Sequence, residues 1–288
     1  MNLEQPFQKA LEKYLDKPTD PTPRNLADSI RYSLLAEGKR IRPRLAIACG
    51  EMLGLPLDTT LPPALAIEMI HCFTLIHDDL PCMDDDDFRR GKPSNHKVYG
   101  EALALLAGDS LMPLATEVFS EAAEFVAPAN FMAGLRRYLD AVGPRGVMGG
   151  QAAEFNLSAK SSFEELRHMH RKKTGALFEA AILIPKDFAG ISDTSPQGAA
   201  ICRFAEELGM GFQVADDFED IEQDKVKNGA DGQMKPTSIL HYMSHKEAVD
   251  YASSRMRAAH QQLEQHLGPK CAILLKISEE VLRRIKKA

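Results

Sequence analysis

The chain has 288 residues, with 35 Lys and Arg against 41 Asp and Glu, a formal charge of −6, and 44% hydrophobic against 26% charged residues. That balance, with 19 Gly and 17 Pro, excludes a collagen-like or low-complexity chain, and the acidity argues against a general nucleic-acid binder. No uninterrupted apolar run approaches the ~20 residues of a bilayer span, so no stable membrane insertion is expected. The opening MNLEQPFQKALEKYL lacks the basic start and apolar block of a secretory signal. Cys49, Cys72, Cys82, Cys202 and Cys271 are scattered, with no CxxC pair. Such a set points to a reduced, cytoplasmic protein with neither a disulfide frame nor a zinc site.

Apolar residues recur at helical spacing through most of the chain. Leu26, Ile30, Ser33, Leu34 and Glu37 make one face before Gly38, and Leu61 to Ile76 reads as a long apolar helix. The same period predicts helices over Glu101 to Phe125, Phe131 to Ala141, Phe163 to Leu183, Ser195 to Asp224 and His245 to Leu267. Breaks are expected at Pro18–Pro23, Gly54–Pro56, Gly91–Pro93, Pro128, Gly143–Pro144, Pro185 and Gly190, Gly229–Gly232 and Gly268–Pro269. Alternating β-branched runs are nearly absent. With no linker, repeat or composition shift, the pattern predicts one all-α domain over residues 1–288.

Three constellations carry chemistry. His77-Asp78-Asp79-Leu80-Pro81-Cys82-Met83-Asp84-Asp85-Asp86-Asp87-Phe88-Arg89-Arg90-Gly91 places six carboxylates within ten residues, at the end of the apolar helix. Like charges packed so closely need water, basic neighbours or a metal. The arginines that follow suit phosphate, and carboxylates that keep waters are how proteins hold Mg²⁺ against substrate phosphates. Gln213-Val214-Ala215-Asp216-Asp217-Phe218-Glu219-Asp220 sets Asp216 and Asp220, four apart, on one helix face. Together the two clusters read as the walls of a metal-bridged polyphosphate site.

The third group is basic. Gly38-Lys39-Arg40-Ile41-Arg42-Pro43-Arg44 puts four cations in six residues at a helix start, and in an acidic chain this favours a discrete anion pocket. His170-Arg171-Lys172-Lys173-Thr174-Gly175 is a similar patch, and Lys225, Lys227 and Lys235 follow the second acidic cluster. His71 lies two helical turns before Asp78, on its face. Gly149-Gly150-Gln151 permits close backbone approach, with Gln151 a candidate polar contact.

In this order, GKRIRP, IHCFTLIHDDLPCMDDDDFRRGKPSNH, GGQAAEF, HRKKTGALF and FQVADDFED resemble the trans-isoprenyl diphosphate synthase family, in particular its bacterial farnesyl diphosphate synthase (geranyltranstransferase) members. The resemblance spans nearly the whole chain. It implies an all-α isoprenoid synthase helical bundle around a deep central cavity, usually as a homodimer. It also implies that Asp78, Asp84 and Asp216 ligate three Mg²⁺ ions, with Asp79, Asp217 and Asp220 in support. Arg89, Lys173, Gln213 and Lys225 or Lys227 would contact the allylic diphosphate; Lys39, Arg42, His71 and Arg90 would hold isopentenyl diphosphate. The sequence departs from the family at Lys235, followed by Pro236, and at Glu154, where an Asp is more usual.

The implied reaction ionises the allylic diphosphate, and the resulting cation is held beside the isopentenyl double bond in an apolar, water-free cavity. The departed diphosphate then takes the proton, so no protein general base is required, and Thr174 with the backbone would stabilise the cation. Phe73, five residues before Asp78, stands about 7–8 Å below it along a helix. In this family an aromatic residue there implies a cavity floor and a fifteen-carbon product. Geranylgeranyl and geranyl diphosphate are the alternatives, and the preferred allylic starter stays open. A terpene cyclase would need no isopentenyl pocket, and a silent regulatory subunit would not need both aspartate motifs.

Overall fold

The computed structural model describes residues 4–15, 22–228 and 236–287. In chain order the elements are α1 (Glu4–Leu15), α2 (Arg24–Leu34), α3 (Ile41–Met52), α4 (Leu57–Asp78), β1 (Phe88–Arg89), β2 (Lys92–Pro93), α5 (Asn95–Tyr99), α6 (Glu101–Ser120), α7 (Pro128–Val142), α8 (Val147–Glu154), α9 (Phe163–His170), α10 (Ala176–Phe188), α11 (Pro196–Asn228), α12 (His245–Leu267) and α13 (Ala272–Lys287). A π segment, Arg171–Gly175, joins α9 to α10, and a 3₁₀ turn, Glu121–Glu124, extends α6. The all-α class expected from the periodicity is the class observed.

Where helix boundaries follow local chemistry, expectation and structure coincide. At the start of α12, Ser244 accepts from the Glu247 backbone while the Glu247 side chain returns to the Ser244 N–H, and Ser162 with Glu165 does the same for α9. These reciprocal bonds satisfy amide donors that a helix start leaves open. One expected break is overturned: Pro185 lies inside α10, which continues to Phe188. The break expected at Pro128 is present after Glu124, and Pro128 opens α7, in keeping with proline's fixed φ at a first helical position. The two-stranded β1–β2 ribbon and the short helix α5 carry no periodic signal.

The chain forms two compact units. One lies within Met1–Ile47 and Pro56–Pro128, the other within Ala48–Leu55 and Ala129–Ala288. In the first, α4 packs along α6 and is flanked by α1 and α2. Residues Ala64 to Ile70 of α4 are buried on every side, as a helix apolar all round must be. Two helical stretches, Leu57–Asp78 and Glu101–Glu124, reach the length and apolarity of a membrane span, with 78% and 39% of their windows buried. The expectation drawn from uninterrupted runs missed both, because isolated polar residues punctuate them. In the second unit α11 is central, packed by α10, α12, α13 and the π segment, while α8 lies against the π segment.

Candidate active site

In the first unit the acidic motif hangs from the end of α4. There Asp79 is the C-cap residue, and the chain turns back so that the Asp84 N–H donates to the Asp78 carbonyl at 2.8 Å. The six-residue spacing therefore brings Asp78 and Asp84 together through their own backbone. The Met83 and Asp85 amides donate to the Leu80 carbonyl at 2.9 and 3.2 Å and tighten the same turn.

Asp79 behaves differently from its neighbours. Its carboxylate is buried and accepts from Arg89 Nε at 2.8 Å and from Arg89 Nη2, and Arg89 also donates to Asp86 at 3.0 Å. Burial raises the Asp79 pKa above the ordinary carboxylate value, against the lowering pull of Arg89. Arg89, expected to touch substrate, is thus engaged by Asp79 and Asp86.

The ribbon pairs Phe88 with Pro93 and Arg89 with Lys92. Its two-residue turn has positive φ at both Arg90 and Gly91, 55° and 76°, which suits the strand twist but costs a non-glycine residue energy. The Arg90 guanidinium rests against Gly38, where a Cβ would come within 2.7 Å of Arg90 Nη1. Arg40 donates to Glu68 and to the Leu34 and Ala36 carbonyls at 2.8 and 2.7 Å. Of the cations in GKRIRP, Arg40 clamps the loop. Burial, then Arg42, Arg90, Arg40 and Arg89, push the His71 pKa well below its ordinary value, which keeps the ring neutral. Lys39, Arg40 and Arg90 line an open cleft of about 750 Å³ to which α1 contributes Gln5 and Gln8. Phe73 of α4 is 6% exposed, its ring edge-on to His77 at 4.9 Å.

The second unit holds the remaining candidates. The π segment sets Lys173 against Glu154 in an ion pair, and Thr174 donates to Gln213 Oε1 at 2.5 Å. Gln213 donates to Asp217 Oδ1 at 2.8 Å. The other Asp217 oxygen accepts the Ile239 N–H at 2.7 Å, so Asp217 fastens the returning chain from a buried position. One helical step away, Asp216 stays partly exposed and accepts from Arg284 Nη2 at 2.5 Å, while Arg284 Nε donates to Glu219 at 2.7 Å. The Arg284 guanidinium also covers the Phe212 ring at 4.6 Å. A Cβ on Gly150 would meet the Lys173 backbone nitrogen at 2.1 Å, so only glycine allows α8 this close. Gln151 Nε2 is buried with no hydrogen-bond partner. The side chains of Asp220, Lys225 and Lys227, and all of Lys235, lie outside the described residues.

The partners that sequence reasoning missed are Arg40, Glu154 as the Lys173 counter-ion, and Arg284. Each is made by long-range contact; Arg40 stood in the GKRIRP motif and Glu154 was noted as unusual, but nothing in the sequence marked Arg284. The donor chemistry fits Mg²⁺, which takes carboxylate oxygens and keeps several waters. Asp78 and Asp84 supply such oxygens from half-buried and exposed positions, where waters have room.

Arg284→Gln is expected to lower stability by about 1 kcal/mol in EDTA, since the carboxylates it pairs keep partial contact with water. Added Mg²⁺ should close that deficit by neutralising Asp216 and Glu219 in its place. Thermal melts of both proteins with and without Mg²⁺ check this.

Acid should weaken the second unit through His170, which is buried and meets the Thr237 carbonyl through Nε2 at 2.8 Å. Burial lowers its pKa from 6.5 to about 4. Between those values the unfolded chain binds a proton that the folded chain refuses. The contribution is therefore complete above 6.5 and lost as pH falls toward 4, on the order of 3 kcal/mol. Urea titrations at pH 7 and 4.5 should show the loss, and His170→Asn should shrink it.

Comparison with known proteins adds to this geometry. The sequence profile described as "Polyprenyl synthetase" matches residues 23–270. The chain is 37% identical to a chloroplastic geranylgeranyl pyrophosphate synthase of Capsicum annuum, covering 91% of this chain and 72% of that protein. It is 41% identical to a farnesyl diphosphate synthase of Geobacillus stearothermophilus, covering 78% and 75%. The structure of a geranyltransferase from Legionella pneumophila superposes with a TM-score of 0.84 at 28% identity, covering 98% of this chain and 95% of that one.

Proposed function

The chain belongs to the polyprenyl synthetase family, and we propose that within it this protein adds isopentenyl diphosphate to dimethylallyl and then geranyl diphosphate, releasing farnesyl diphosphate. Prenyl transfer is the chemistry of the family, and isopentenyl and allylic diphosphates are its substrates. The observation that carries the reading is the turn that brings Asp78 and Asp84 together in the same unit as the arginine-ringed His71. One motif offers oxygen to metal ions and the other surface offers cations to phosphate. We read the chain as one catalytic domain, because the profile match runs through both units without a break.

Bound Mg²⁺, three ions in this reading, would offset the charge developing on the leaving diphosphate. Asp78, Asp84 and Asp216 would hold the ions, with Asp79, Asp217 and Asp220 in support. Asp79 and Asp217 act by fixing the backbone from which their neighbours project. Lys173, Gln213, Arg89 and Lys227 would grip the allylic diphosphate, Lys173 turning from Glu154 to do so. Lys39, Arg42, Arg90 and neutral His71 would orient isopentenyl diphosphate, with His71 free to share a proton in a hydrogen bond without adding charge. The Thr174 hydroxyl, poised by Gln213, would place its oxygen lone pair toward the allylic cation.

The protein is read as a cytoplasmic homodimer. Val98 on α5 and Leu105 and Leu106 on α6 are large apolar residues left exposed, which a second subunit would cover, and light scattering at micromolar concentration tests it. Geranylgeranyl diphosphate synthase is the second reading, favoured by the names of several relatives. The deciding experiment supplies Mg²⁺, radiolabelled isopentenyl diphosphate and each allylic starter, then sizes the hydrolysed alcohols. A dominant fifteen-carbon alcohol supports the farnesyl reading, a twenty-carbon one replaces it, and no incorporation with any starter overturns the prenyl-transfer assignment.

A further inference from the structure

We propose that Asp85, Asp87 and His96 form a separate divalent-cation site, selective for Zn²⁺ or Co²⁺ over Mg²⁺, that ties the loop after the first aspartate motif to α5. A carboxylate oxygen from each aspartate and a ring nitrogen of His96 all lie within 4.8 Å of one another. Ligands held at about 2.1 Å from one ion stand roughly 3–4 Å apart, so small rotations of two exposed side chains close the set.

His96 is what distinguishes this cluster from a solvated acidic run. It is 6% exposed, and its Nε2 is buried with no hydrogen-bond partner, an arrangement that is costly unless something fills it. Its Nδ1 meets the hydroxyl of buried Ser94 at 3.1 Å. When Nδ1–H donates to Ser94, the Nε2 lone pair is left to a metal, the tautomer that outer partners impose on histidine ligands.

The neighbouring charges separate this site from the one assigned to substrate. Arg89 holds Asp79 and Asp86, whereas Asp87 is paired with Lys97 Nζ at 2.6 Å. Lys97 occupies the position of a counter-charge and competes with a cation there. One imidazole with two carboxylates suits borderline ions, whereas Mg²⁺ favours oxygen alone.

The test titrates the full-length protein with Co²⁺ in millimolar Mg²⁺, following the visible absorption of bound Co²⁺ and counting ions by equilibrium dialysis. One Co²⁺ per chain is expected, displaced by Zn²⁺. Binding should be unchanged in Asp78→Ala, tighter in Lys97→Met, and at least about tenfold weaker in His96→Asn. Because His96 is buried, the Asp85→Asn/Asp87→Asn pair, both exposed, gives the same test with the core intact. The proposal is overturned by no Co²⁺ retained over Mg²⁺, by loss in Asp78→Ala, by unchanged or weaker binding in Lys97→Met, or by binding that survives the paired aspartate change.

Discussion

Asp78→Ala is expected to lower kcat by at least about 10³-fold, which corresponds to about 4 kcal/mol of lost transition-state stabilisation. The size follows from where Asp78 sits. It ends α4 half-exposed, and its carbonyl takes the Asp84 amide, so in the proposed reading it is one of the pair that holds the ions. The fold should survive, because removing an accessible carboxylate from an acidic run relieves repulsion. Asp79→Ala makes the contrast. There a buried carboxylate is taken from Arg89, which is itself partly exposed and keeps Asp86, so losing these charge-assisted hydrogen bonds should cost about 1.5–3 kcal/mol of stability. Steady-state rates at saturating Mg²⁺ and urea denaturation of both variants check the pair. An Asp78 variant that keeps more than a tenth of the parent kcat would remove this residue from the metal set.

Phe73→Ala is expected to shift the product from fifteen carbons toward twenty. The ring is nearly buried, edge-on to His77, about 7–8 Å along α4 from Asp78, and if it forms the floor expected of it, truncation opens room for a longer chain. The same truncation costs about 3–5 kcal/mol of stability, as deletion of a buried aromatic does. The readout is therefore the ratio of products rather than the rate. A chain-length profile matching the parent's, from a variant that melts lower, would mean Phe73 serves the packing of α4 and the floor lies elsewhere.

Local chemistry made much of this protein legible. The boundaries of α12 follow from Ser244 with Glu247 at one end and Gly268 at the other, and α4 was visible as a long apolar stretch. The residues that the proposed function assigns to substrate were readable as types and spacings, since DDxxxxD, GKRIRP and KTG stand in continuous sequence. Counting uninterrupted apolar runs failed where polar residues punctuate an apolar helix, as in the two span-length stretches that periodicity did predict as helices, and periodicity failed where two-residue strands leave no repeat to detect.

By itself, then, the sequence determined the all-α class, most helix boundaries and the set of ionisable residues available for chemistry, because each depends on interactions within a few residues. Only the tertiary structure decided how those ionisable groups are partnered. Asp79 belongs to Arg89, Lys173 to Glu154 and Asp216 to Arg284, across separations of 10, 19 and 68 residues. Arg90 reaches Gly38 because a positive-φ turn aims it there. Helical periodicity reports which face of an element is buried. It carries no information on which distant side chain meets a charge on that face, and that pairing separates a structural carboxylate from one available to a ligand.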